Sequence, residues 1–599
     1  MLQAVDIRRP GGALEEALGF IIREQLADET LWNQVADVFS ADVDAPDLRW
    51  RGEFWGKLAR GAALVVRCTG DREVYELLTR SVRRLLSHQD DEGRLSTYDK
   101  AREFQGWDLW GRKYVLVGLQ YYLDVCRDEV LAEQVKTALI RHSDYIADRI
   151  GPKSEGKIPI TTTSTHWDGV NSSSILKAFV VMYRLTGRRR YLDFARYILE
   201  EGGMEHFHLF RAAYENRLAP YEYPVTKAYE MISCFEGALE LYKVTGEEKL
   251  LDMCVRFADA VLATDVTVVG GTGCYDELFD HSRLLQVRPS AAHMQETCVT
   301  VSMMLYLFEL IRITGRAAYA DAFETMLYNL YLGSLNTARS ANNLGLPFDS
   351  YSPLIESRRA LKVGGEMDIT PHRKYGCCAA IGAAGAGIAA RLGVLAGPGE
   401  VRAALYTPGE FALTMDGAPV RLAVHTRYPE EGTVTLALDL EQPVSFRLLL
   451  RKPAWCDSCT VSVCGGAVEQ PEAADGWMAL ERVWRAGDTV ELVLDMPLRR
   501  IPGSAIEAGC SRFAVQRGPV VFAADRRLED PGRAFSPCCE PDGLLKGKPA
   551  DADGLAVRQC VAVEETGGGR FRLIDYASAG KTWDEDSALS VWLESGREG

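Results

Sequence analysis

The sequence has no excess of basic residues: 68 lysines and arginines stand against 84 aspartates and glutamates, a formal net charge of -16. A broad basic surface for nucleic acid or an anionic membrane is thereby disfavoured, since both partners need clustered cations to displace counterions. The start, MLQAVDIRRPGGALEEALGF, lacks a positively charged segment followed by an apolar core. No uninterrupted run of about 18 apolar residues stands out along the chain. These absences lead to the expectation of a cytoplasmic protein acting on a small or neutral substrate, with no nucleic acid and no membrane as partners. Nothing in the composition reads as disordered. With 47% hydrophobic and 25% charged residues, 599 residues suit a globular chain of more than one domain.

The first two-thirds repeat one pattern: an amphipathic helix, Thr-Gly, a charged turn, and a second helix. The copies carry Thr69-Gly70, Thr186-Gly187, Thr245-Gly246 and Thr314-Gly315, with a degenerate copy near Tyr121–Cys126. Glycine after the last helical residue is a left-handed stop, so each copy reads as a helical hairpin. A unit of about 60 residues over about 390 gives six hairpins, which predicts closure into an (α/α)6 toroid. After about residue 400 the chain turns to short alternating stretches such as TVTLALDL and TVELVLDMPLRRI, the texture of β-sandwich. The expected division is therefore a helical-barrel domain over 1–400, a jelly-roll-like sandwich over 401–503 and a second over 504–599, with a seam near Pro502.

Fifteen cysteines without an export signal are expected to be mostly reduced thiols, and Cys68, Cys126 and Cys254 fall within helical apolar patterns. Two places stand apart: Glu296 and Cys298 in MQETCVTVSMM, and Cys377-Cys378 in YGCCAAIGAAGAG. On a regular helix Glu296 and Cys298 would point about 200° apart. They share an ion only if ETC is an irregular entry to the helix that follows. The adjacent thiols carry the same limitation, and the small residues around them permit a tight backbone. Three thiolates and a carboxylate make a tetrahedral set suited to zinc. Scattered core cysteines, or a vicinal disulfide, account for the same letters. Cys456, Cys459 and Cys464 have no second ligand pair at zinc-finger distance, and Cys538-Cys539 is isolated in sequence. His206 and His208 read as loop residues without a carboxylate partner.

The motifs GWDLWGRKYVLVGLQYY, STHWDGVNSSSILKAF, GGTGCYDELFD, ETC before a helix, YGCC and VQRGPVVF, spread over nearly the whole chain, resemble those of glycoside hydrolase family 127. Its founding activity is β-L-arabinofuranosidase. The resemblance implies an exo-acting, retaining hydrolase with zinc held by Glu296, Cys298, Cys377 and Cys378, in which Cys377 is also the nucleophile. It places a carboxylic acid/base in the glycine-rich loop: Glu277 matches by position after the glycines, Asp280 by distance to Glu296, and Asp276 remains open. Glu277 is the choice taken here. Trp107, Asp108, Arg112, Lys113, His166, Trp167 and Asp168 are candidates for the sugar pocket, combining aromatic faces with hydroxyl-directed groups. Where many relatives have Gly-His, this chain has Tyr229-Glu230-Met231, which makes Glu230 a further candidate and leaves the sugar open. A homodimer is a family-level expectation. Two other classes compete: a zinc-free acid/base barrel enzyme (unsaturated-uronyl hydrolase, lyase or epimerase), and a non-catalytic carbohydrate-binding scaffold.

Overall fold

The computed structural model describes residues 1–40, 52–164, 167–273, 275, 277–289, 294–337, 346–359, 362–370, 373–467 and 473–596. Among them, six helices form a closed ring: α1 (Gly52–Thr69), α2 (Asp108–Leu123), α3 (Leu176–Thr186), α4 (Ala228–Thr245), α5 (Thr297–Thr314) and α6 (Cys377–Ala389). Each packs on the next, and α6 returns to α1. The ring is the predicted (α/α)6 barrel. Outer helices lie behind it, and their sequences say why. Arg72–Leu86 buries Val74, Leu77, Leu78, Val82 and Leu85 on one face, whereas every residue of α6 is buried.

The Thr-Gly stops work as a repeated device. Thr69, Thr186, Thr245 and Thr314 each return their hydroxyl to the carbonyl four residues back, at 2.8, 2.7, 3.0 and 2.7 Å. Each following glycine is left-handed, with φ between 66° and 70°. The chain reverses there into the outer helix. Small residues set the ring's tight spacing: a side chain at Gly56 would meet the Tyr114 carbonyl oxygen at 1.8 Å, so α1 and α2 touch at a distance only glycine allows.

One expectation is corrected here. α5 is 18 residues long with mean hydropathy 1.4, enough by length and composition to cross a membrane. Its apolarity has another cause, since as a ring helix it is enclosed by α4, α6 and the outer helix Ala317–Met326.

Two sheets of six and seven strands follow, and the chain's own beginning joins them: Gln3–Val5 pairs with Val394–Gly397, and Ile7–Arg8 with Gly409–Met415. Residues 3–8 thus belong to the sandwich sheets. Buried Arg451 fastens this module to the barrel through Asp321 and Glu324 of the outer helix Ala317–Met326. A third, eight-stranded sheet opens with Leu498–Pro502, upstream of the seam expected at Pro502. It supports the barrel mouth: Tyr576 donates to the Pro353 carbonyl at 2.9 Å, and buried Arg359 bridges the Ala579 carbonyl and Ser352 at 2.9 and 2.7 Å.

Candidate active site

Two strand-to-helix junctions build the site. β1 (Met294–Glu296) runs into α5 with Glu296 still extended at φ -85°, ψ 131°. It pairs with β2 (Tyr351–Pro353), which sets Glu296 opposite Tyr351. β3 (Arg373–Gly376) runs into α6 with Gly376 extended at φ -128°, ψ 166°. Glu296 therefore belongs to a strand while Cys298 sits in the first turn of a helix, which removes the obstacle that a regular helix would pose. Cys377 and Cys378 open the other helix. Cys298, Cys377 and Cys378 thus stand in the first turn of their helices, where the positive pole of a helix favours negative charge.

The ligand atoms of Glu296, Cys298, Cys377 and Cys378 all lie within 4.8 Å of one another, and all four residues are buried. Cys378 Sγ donates to Glu296 Oε1 at 3.3 Å, and the Cys377 and Cys378 sulfurs are 3.9 Å apart. A tetrahedral zinc with Zn–S bonds of about 2.3 Å separates its sulfurs by roughly 3.8 Å. Glu296 Oε2 is buried without a hydrogen-bond partner. The donor set, its spacing and this orphan oxygen fit a zinc ion. Hydrogen bonds from Cys298 and Cys378 hold the Cys377 thiol well below the ordinary range, with help from Lys57 and Lys227. Burial pushes Cys298 and Cys378 up instead. Cys377 is also the most exposed of the three, at 8% against 1% and 0%.

Glu277 stands in the glycine-rich loop at φ 68°, a left-handed conformation unusual for a side-chain-bearing residue. Its carboxylate accepts from Tyr351 at 2.7 Å and from Lys227. Burial and the carboxylates Glu296 and Glu277 push the Tyr351 phenol far up, so it stays a donor. A side chain at Gly364 would start 3.2 Å from Cys377 Sγ and 3.3 Å from the Tyr351 hydroxyl. The glycine keeps open the space between nucleophile candidate and acid/base support. Asp280, the alternative, spends Oδ2 on the Tyr275 N–H at 3.0 Å and Oδ1 on Ser282. Its carboxyl rises to about 6 through burial. Asp276 and His166 lie outside the described residues.

The remaining candidates separate into wall and scaffold. Trp107 is edge-on to Trp110 at 5.7 Å, and Trp110 to Tyr229 at 5.3 Å. Lys113 lies 3.9 Å from the Trp110 ring centre and donates to Ser174 at 3.2 Å; burial pulls its ammonium down to about 7. Trp167 lies under Lys227 at 5.0 Å. Glu230 is 2% exposed, its carboxyl is pushed up by burial, and its Oε2 has no partner. Asp108 and Arg112 form scaffold: Asp108 holds the Phe104 N–H at 2.7 Å and Arg112 Nε at 3.0 Å, while Arg112 reaches Glu103 at 2.9 Å. Asp168 pairs with His206 at 2.6 Å, which corrects the expectation that His206 has no carboxylate partner.

Lys57, Glu53, Lys227 and Tyr351 escape sequence reasoning. Glu53 and Lys57 are an i,i+4 pair on α1 whose side chains are 5% and 1% exposed. With Arg60 they form a polar stripe at i, i+4 and i+7, so the sequence carries no signal that this face is buried.

The profile of the β-L-arabinofuranosidase GH127 catalytic domain matches residues 24–384, and that of the GH127 middle domain matches 400–496. A non-reducing end β-L-arabinofuranosidase of Bifidobacterium longum subsp. longum is 22% identical over 442 residues, 67% of this chain. That match spans 62% of the relative's own length. A GH127 β-L-arabinofuranosidase from Geobacillus stearothermophilus T6 shares the fold over 100% of both chains, with TM-score 0.75 and 18% identity. A second GH127 β-arabinofuranosidase does so over 99% of this chain and 98% of its own, with TM-score 0.76 and 18% identity. Matched through its barrel and its first sandwich, the chain belongs to the GH127 β-L-arabinofuranosidase family.

Proposed function

We propose that this protein is a retaining glycoside hydrolase that removes a non-reducing terminal sugar, β-L-arabinofuranose by family kinship, with Cys377 as nucleophile and Glu277 as acid/base. The observation that carries the reading is the convergence of Glu296, Cys298, Cys377 and Cys378 within 4.8 Å, with the Glu277 carboxylate tied to the same strand pair through Tyr351.

Glu296, Cys298, Cys377 and Cys378 would hold zinc, whose charge keeps thiols deprotonated at neutral pH. Cys377 Sγ attacks the anomeric carbon; a C–S bond forms as the glycosidic C–O bond breaks. Glu277 gives its proton to the departing oxygen. Water then attacks the same carbon from the vacated side, Glu277 takes its proton, and the C–S electron pair returns to sulfur. Two inversions leave net retention. Tyr351 and Lys227 fix the carboxylate by hydrogen bonds, so each proton transfer occurs at a held position. Glu230 and the partly exposed rings of Trp107 and Trp167 supply the polar and apolar faces on which a sugar ring can rest.

The test is metal content and turnover together. Reduced wild-type protein is expected to carry about one zinc per chain and to cleave an aryl β-L-arabinofuranoside, with both lowered in Cys298→Ser. Full zinc in Cys298→Ser, or turnover untouched after zinc is stripped, would sink the reading.

A further inference from the structure

Lys57 has no part in the mechanism above, yet it is the cation placed against a ligand sulfur. Its ammonium donates to Cys298 Sγ at 3.9 Å and lies 3.2 Å from Glu53 Oε1. The rings of Tyr229, Tyr114 and Trp110 surround it at 4.6, 5.2 and 5.8 Å. Glu53 is held in turn by the Trp110 indole N–H. The position is stiff, because Gly56 lets α1 press against α2 at the residue before Lys57.

Three thiolates and a carboxylate outweigh the charge of one dication, and surplus negative charge in a buried centre is costly unless a cation answers it. Lys227 spends its hydrogen bond on Glu277. We infer that Lys57 is the positioning residue of the thiolate centre: its N–H···S bond fixes Cys298 as a permanent ligand and offsets the centre's charge, leaving the more exposed Cys377 as the thiolate that attacks. The inference rests on the zinc-thiolate reading and adds a division of labour among the cysteines. A cation hydrogen-bonded to one sulfur lowers that sulfur's electron density and nucleophilicity more than those of sulfurs it does not touch.

The experiment uses the full chain loaded with zinc, and in parallel with cobalt as a spectroscopic probe. Lys57→Met strands Glu53 in the core, so Glu53→Gln/Lys57→Met, which removes both charges, is its companion and Glu53→Gln the control. Competition with a chromophoric chelator is expected to show zinc binding about 10–100-fold weaker in both lysine variants. The thiolate-to-cobalt charge-transfer band should move to lower energy in both. Glu53→Gln keeps affinity and band close to wild type. A double variant with wild-type affinity and an unmoved band overturns the role of Lys57, as does a Glu53→Gln variant that loses as much as the double. A wild-type protein showing no thiolate-to-cobalt band defeats the zinc-thiolate reading itself, and Lys57 with it.

Discussion

Cys377-Cys378 and Cys538-Cys539 are the same dipeptide in two settings. The first opens α6 behind a strand, every neighbour buried, with Glu296 and Cys298 brought to it by a second junction of the same shape. The second lies in the third β module, where Cys538 is half-buried, Cys539 is exposed and strand-like hydrogen bonds occupy the backbone. Among the described residues, no third ligand-bearing side chain joins it. Chemistry is thus assigned by the junction and not by the thiols. Two strand-to-helix junctions bring three sulfurs and a carboxylate within 4.8 Å of one another; among the described residues, the loop between strands gathers no such set.

The sharpest way to break this contrast is to remove one sulfur from each pair. Cys377→Ser is expected to lower kcat/KM on an aryl β-L-arabinofuranoside by about 10^4-fold or more, and Cys539→Ser to leave it within about twofold. Equal effects would dissolve the distinction. The same contrast extends to the loop carboxylates. Glu277→Gln should cost about 10^2 to 10^4-fold, most on poor leaving groups, while Asp280→Asn, whose oxygens serve the loop itself, should cost less than about tenfold. Reversal of that order moves the acid/base role to Asp280.

Metal content sharpens it further. Cys298→Ser should lose zinc, whereas Cys456→Ser, whose sulfur hydrogen-bonds the Ser458 carbonyl at 3.0 Å, should retain it. Stripping zinc from wild type should lower Tm, since a ligand bound only by the folded state stabilises it. The smallest effect concerns Asp280. Its carboxyl is raised to about 6 in the fold, so its stabilisation is complete below the unfolded value near 4 and is lost as pH rises through about 6, on the order of 3 kcal/mol. Asp280→Asn should flatten the fall of Tm across that window; an unchanged slope contradicts the burial argument.

The barrel was legible because its signal is local and repeated. Thr69, Thr186, Thr245 and Thr314 each write a helix end and a reversal in two letters, and the expectation of closure came from the unit length set against the length of the helical region. The Glu/Cys cluster that could hold a metal was legible as residue types, but its geometry was not: only the pairing of Met294–Glu296 with Tyr351–Pro353 shows Glu296 to be strand. Lys57 and Lys227 stayed hidden for a different reason. A lysine's burial is decided by helices far away in sequence, and a Glu-Lys pair on a helix looks the same inside a ring as on a surface. The partners of Asp108 and Asp168, Phe104 and His206, were hidden as well, since they come from loops whose path no periodicity foretells.

The central claim is that Cys377 becomes covalently bound to the sugar. Zinc-loaded wild type mixed with a slow β-L-arabinofuranoside, quenched in acid, digested and analysed by tandem mass spectrometry should yield one pentosyl group on the Cys377 sulfur. A pentosyl group on Glu277 or another carboxylate, or product released with inverted configuration, would contradict it.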